Sequence, residues 1–153
     1  MDRTASEYID NVVRAIPTAF EQSEYEFDAT PSRIILSVRC KYGPYQVFIT
    51  ELFSNAARKY RYYVLYQNQV VAGFDNAPDP RAIRMKYGTI GRDHTGEQIP
   101  HLHLENKKRI ELTGELSFFD FVQWVKKNLS QTIDPCGGGP AVFPSRGSGN
   151  PAG

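Results

Sequence analysis

Tyr8, Ile9, Val12, Val13 and Ile16 recur at the three- and four-residue spacing of a helix with one apolar stripe. The spacing predicts a helix over 4–16, opened by the capping-box pattern of Thr4 with Glu7 and stopped by Pro17. The period then changes to two. Residues 24–28 alternate, as do Ile34, Leu36, Val38 and Cys40, and after the turn residues 41–44 the alternation resumes at Tyr45, Val47 and Ile49. Residues 60–66 and 70–74 read as a further hairpin about Gln67, Asn68 and Gln69. From Ala77 to Ile99 the periodicity is lost among Pro78, Pro80, Gly88, Gly91 and Gly96, which predicts a long loop. Strands return at 99–105 and, after Asn106, at 109–112. Ser117 with Asp120 then opens a second helix, with Leu116 and Phe121 placed as a hydrophobic staple. Phe118, Phe121, Val122, Val125 and Leu129 share the side that should lie on a sheet, and Trp124 reads as packing.

These elements predict an α+β fold: an antiparallel sheet of about six strands with an N-terminal and a C-terminal helix packed on it. The expected organisation is a single domain over 1–133 and a disordered, Gly- and Pro-rich tail over 134–153. With 153 residues, 41% of them hydrophobic, the chain is large enough to bury a core. No apolar run approaches the roughly 18–20 residues of a membrane span, and the first residues lack a basic-then-apolar signal, so a cytoplasmic protein without a membrane partner is expected. Cys40 and Cys136 make neither a disulfide framework nor a Cys-x-x-Cys metal spacing. Gly137 to Gly139 lack the Lys-Ser/Thr that a phosphate loop requires.

A net charge of +1 conceals a segregation. Residues 1–57 carry five basic and eight acidic side chains, residues 58–109 ten and five, and residues 110–153 three and four. The basic stretch includes Arg58, Lys59, Arg61, Arg81, Arg84, Lys86, Arg92, Lys107, Lys108 and Arg109. A local basic surface attracts phosphates whatever the whole-chain charge, although solvated cations on ordinary hairpins would read the same way. Within this stretch His101 and His103 stand at strand spacing, two of only three histidines in the chain. Residues two apart on a strand share a face, and imidazole both takes and gives a proton near neutral pH. The pair therefore points to acid–base chemistry or to metal ligation, with a polar strand face as the plainer alternative. His94 reads as a solvent-exposed loop residue.

Tyr60, Arg61 and Tyr62, then Phe74, Asp75 and Asn76, then His101 and His103, then a closing helix near 118–129 follow one another in a recognisable order. This order resembles the TumE family, the toxin component of prokaryotic toxin–antitoxin systems, with Glu51 at the family's acidic early-strand position. The resemblance covers about residues 32–129 and implies a toxin-like role more firmly than a reaction. The stretch between Asn76 and His101 is longer than in that family, and the N-terminal helix and the tail lie outside the match. The resemblance also implies a cognate antitoxin, a small helix-turn-helix protein covering the basic, aromatic surface.

Three chemical arrangements fit these residues. In a metal-independent ribonuclease, one histidine deprotonates the RNA 2′-hydroxyl and the other protonates the leaving oxygen. Asp75 then orients an imidazole, Asn76 donates to a substrate oxygen, and Arg61 with one of Arg84, Lys86 or Arg109 holds the phosphate. Tyr60 or Tyr62 would stack an unpaired base. No cofactor is needed, yet a divalent metal on His101, His103 and a carboxylate such as Asp75 or Glu51 fits as well. A nucleophile site fits least, because no Ser or Cys occupies a recognisable elbow. Without chemistry, the same basic surface would serve a nucleic-acid- or protein-binding module. Asp75 and Asn76 also read simply as turn residues at a strand end.

Overall fold

The alternation along the chain is realised as long strands, each paired with the next. The computed structural model describes residues 3–55, 57–88 and 93–132. Helix α1, Arg3–Ala19, leads into β1 (Glu21–Thr30), β2 (Arg33–Tyr42), β3 (Tyr45–Ser54), β4 (Arg58–Tyr66) and β5 (Gln69–Asp75). Helix α2, Pro80–Tyr87, precedes β6 (His101–Leu104) and β7 (Arg109–Leu112), and helix α3, Phe118–Asn128, follows. All seven strands form one antiparallel sheet in the order β1-β2-β3-β4-β5-β6-β7, an α+β architecture. The expected tail over 134–153, with Cys136, and the basic residue Arg92 lie outside the described residues.

Period-two alternation gives the sheet two unlike faces. On one, Leu36, Val38, Val47, Ile49, Tyr62, Val64, Phe74 and Leu102 meet Ile9, Val12 and Ile16 of α1 and Phe118, Phe121 and Val125 of α3 in one core. Fully buried apolar side chains of this kind contribute about 1.5–3 kcal/mol each. The other face carries the alternate residues of the ladder, among them Thr50, Arg61, Asp75 and His101, which sit side by side across β3 to β6. Over its far end lies a small second cluster, Ala82 and Ile83 of α2 with Ile99 and Ile110. At the opposite edge β1 is exposed along nearly its whole length, and its Glu24 and Asp28 pair with Arg39 and Arg33. A charged edge of this sort discourages pairing with another sheet.

Three expectations need correction. Thr4 lies inside α1 rather than capping it, because the helix already includes Arg3. Pro17 does not end the helix. It forfeits one hydrogen bond in the last turn, while Ile16 and Phe20 are both buried and Phe20 N donates to Ile16 O at 2.9 Å, holding that turn closed. The expected antiparallel sheet of about six strands is present, with seven among the described residues. The stretch 77–99 is not all loop: Asp79 accepts from Arg81 N, Pro80 occupies the first turn and Gly88 closes α2 at φ 81°, the start and stop signals of a short helix. The predicted cap of α3 is present in full, with Ser117 Oγ accepting from Asp120 N at 3.1 Å and Asp120 Oδ2 accepting from Ser117 N at 2.9 Å. No helix among the described residues is long and apolar enough to cross a membrane.

Candidate functional site

The β5–β6 ladder brings residues from distant parts of the sequence into register. Asp75 pairs with His101, Gly73 with His103, and Arg61 on β4 with Asp75 from the other side. His101 and His103 therefore present on one face with Asp75 between them and Arg61. His101 Nε2 lies 3.6 Å from Asp75 Oδ1, His103 Nε2 lies 4.0 Å from Asp75 Oδ2, and the two Nε2 atoms are 3.2 Å apart. Exposure is 4% for Asp75, 1% for His101 and 5% for His103.

Each member has a partner that fixes it. Ala77 N donates to Asp75 Oδ1 at 2.6 Å and the Tyr63 hydroxyl to Oδ2 at 3.3 Å, while Arg61 Nε stands 3.9 Å from Oδ2. His101 Nδ1 is 2.7 Å from Ile99 O. A carbonyl can only accept, so the Nδ1 of His101 carries hydrogen and a neutral ring turns the lone pair of its Nε2 toward His103. Arg81 Nη2 approaches His103 Nδ1 at 3.5 Å, which makes that nitrogen the acceptor and places a proton on His103 Nε2. The result is one directional chain, from Arg81 through both rings to Ile99. Burial, with His101 beside it, holds the His103 imidazole below the usual histidine range although Asp75 opposes this. Burial and the nearby Asp75 push the Tyr63 hydroxyl up to about 12, so it stays a donor at neutral pH. Lys107 Nζ sits 5.0 Å from the Tyr63 ring centre, so three cations, Arg61, Arg81 and Lys107, surround the cluster.

Asp75, His101 and His103 each offer a ligand atom, and these atoms lie within 4.8 Å of one another, so the set can also hold a metal ion. Glu51 is not part of it. It sits on the helix-covered face, fully buried, where Arg58 Nε donates to Oε1 at 3.1 Å and the hydroxyls of Tyr8 and Tyr62 donate to Oε2. Burial pushes the Glu51 carboxyl up, and the Arg58 guanidinium draws it back toward the charged form.

Other expected members also fall elsewhere. Tyr60 and Tyr62 have the opposite parity to Arg61, so their rings enter the core at 3% and 0% exposure, stacked on each other and, for Tyr62, on Phe121. No unpaired base can reach them. Asn76 makes no approach to a substrate: its amide is consumed by Tyr60 N and Arg58 O. Arg109 is held by Glu105 and Glu111, Lys86 lies 4.0 Å from Glu97, and Arg84 is exposed on the last turn of α2. His94 is half-buried rather than free in a loop, stacked on Tyr87 with its Nδ1 3.1 Å from Glu97 Oε1.

Sequence reasoning left Tyr63 out of the site and read Arg81 and Lys107 only as part of the basic stretch. Tyr63 was within reach, since it shares the parity of Arg61. Arg81 depends on α2, which the Pro-rich composition concealed. Comparison of the chain with protein-family models, with curated proteins and with solved structures finds no match.

Proposed function

We propose that the chain is a toxin-like enzyme that cleaves RNA at the Asp75, His101 and His103 centre. One observation carries the reading: a buried carboxylate and two imidazoles, aligned by strand register, lie directly beneath Arg61, Arg81 and Lys107. A phosphodiester is the substrate class this pairing suits, because it brings charge for the cations and a 2′-hydroxyl proton for the base. With their Nε2 atoms 3.2 Å apart, the imidazoles address one point rather than opposite sides of a phosphorus. They act as a single proton-holding unit, with His101 anchored on Ile99 O behind His103, which takes the 2′-hydroxyl proton and returns it to the leaving 5′-oxygen. Arg61, 60% exposed at its side chain, and Arg81 hold the phosphate as charge builds on it. The sequence resemblance to TumE toxins supports the same reading and adds a small helix-turn-helix antitoxin as the partner covering the cations.

The depth of the histidines favours a second reading, a module that uses the cationic rim to bind nucleic acid without chemistry. Induced expression of the wild type beside His101→Ala/His103→Ala and Arg61→Ala separates the two, with total RNA examined soon after induction. Growth arrest with new RNA fragments, absent in a folded double variant, supports the enzyme. RNA binding lost in Arg61→Ala with no fragments in any strain supports the module.

A further inference from the structure

We propose that Asp75, His101 and His103 form a binding site for a divalent first-row transition-metal ion, with zinc as the reference. Two imidazoles and one carboxylate are a borderline donor set of the kind that such ions prefer over magnesium or calcium, which take oxygen. A four-coordinate zinc with bonds of 2.0–2.1 Å separates its ligand atoms by about 3.3–3.4 Å. The Nε2 atoms, 3.2 Å apart, already match that edge length, while His101 Nε2 lies 3.6 Å from Oδ1 and His103 Nε2 4.0 Å from Oδ2. With one carboxylate oxygen serving both rings the three ligand atoms lie within 4.8 Å of one another, so the carboxylate closes the shell by a shift on the order of 1 Å.

Two further features fit. The bond from His101 Nδ1 to Ile99 O is the outer-shell support that metal-binding imidazoles commonly have, and it turns the Nε2 lone pair inward. The Asp75 carboxylate is buried, and its nearest cation, Arg61, stands 3.9 Å away with a side chain that is mostly in solvent. An ion among the three ligands supplies the close positive charge that a buried carboxylate otherwise lacks. Binding through His103 Nε2 moves that ring's proton to Nδ1 and releases the Arg81 contact, at 3.5 Å one of the longest in the cluster. The guanidinium stays held at the rim by Lys107 O at 2.9 Å and Asp79 Oδ2 at 3.5 Å. Three protein ligands leave a fourth position for water or a phosphate oxygen. The inference rests on the reading of this cluster as the reactive centre for the use of the ion, while binding itself rests on the geometry. With both Nε2 atoms on the ion, the 2′-hydroxyl proton would go to a hydroxide in the fourth position instead of to the imidazoles.

The test is calorimetric titration of the full chain with zinc chloride after chelator treatment, with circular dichroism to confirm folding. One ion per chain is expected, weakened more than roughly 100-fold, beyond the cost of losing an outer-shell partner, by Asp75→Asn and by His103→Gln. Affinity should be retained in His94→Ala and in Cys136→Ser. Should the ligand variants fail to fold, the wild type titrated with cobalt(II) gives the d–d absorption of a low-coordinate nitrogen–oxygen site. Absence of both stoichiometric zinc binding and the cobalt band overturns the proposal, as does binding that His94→Ala or Cys136→Ser removes. Zinc binding at the cluster with RNA left intact keeps the site and removes the ribonuclease. RNA cleavage in excess chelator by a chain that binds no zinc does the reverse.

Discussion

Asn76 continues the ladder between β4 and β5 with its side chain, accepting from Tyr60 N at 3.1 Å and donating to Arg58 O at 3.0 Å. The side chain stands in for a strand residue where the backbone leaves the sheet, directly after Asp75. Asn76→Ala strands two backbone groups and should lower stability by about 2 kcal/mol. Asn76→Asp, which loses the donor toward Arg58 O, should cost no less. Urea unfolding measures both, and an unchanged midpoint for Asn76→Ala would remove this role.

Arg58 and Glu51 form the ion pair at the heart of the helix-covered face, 3.0 Å apart, with Arg58 also bound to Glu115 on the surface. Arg58→Ala leaves a fully buried carboxyl without its cation and should cost about 3–5 kcal/mol. The double change Glu51→Leu/Arg58→Met removes both charges and should recover most of that loss. Thermal melts of the three proteins decide it: a double variant no more stable than Arg58→Ala contradicts the argument.

Gly73 is the floor on which the Tyr63 ring rests. A Cβ at Gly73 would lie 2.9 Å from Tyr63 Cζ and 3.0 Å from both Cε atoms, so Gly73→Ala lifts the ring and takes its hydroxyl from Asp75. The expected cost is about 1–3 kcal/mol. Adding Tyr63→Ala should cost less in this background than in the wild type, because the clash is gone. Strict additivity in a double-mutant cycle would show that the ring does not rest there.

Cys40 should be inert in the folded protein. Burial pushes its thiol up to about 12, so at pH 8 the thiolate fraction is on the order of 10⁻⁴. Mass-mapped alkylation with iodoacetamide should leave Cys40 unmodified until denaturant is added. Rapid native labelling there would place the β2 side chain outside the core.

Much of the fold was legible because it depends on local patterns: period-two runs became β2 to β5, and the Ser117–Asp120 box opened α3. What escaped depended on distant parts of the chain. Pro17 is tolerated because Ile16 and Phe20 are buried by partners on the sheet and α3, which no helix-stop rule takes into account. Of the site, Asp75 with His101 and His103 could be read from spacing and resemblance, and Arg61 from charge. Tyr60, Tyr62 and Glu51 were misassigned because a strand run names both faces at once, and only register tells which parity meets the helices. Arg81 and Lys107 were read only as basic surface, because their place at the cluster is created by the fold of α2 and the β6–β7 turn.

The strictly sequential strand order has a consequence in time. Each strand finds its partner one turn earlier in the chain, so pairing from β1 to β5 needs only short-range closures and can proceed as the polypeptide emerges. The one wide interval between paired strands runs across residues 76–100, and bringing its ends together is the entropically costlier step. Asp75 therefore waits in a nearly finished sheet for His101 and His103 to arrive. A growing chain can thus pair its first five strands before the Asp75, His101 and His103 cluster is complete, and the helix α3 that covers the opposite face arrives later still.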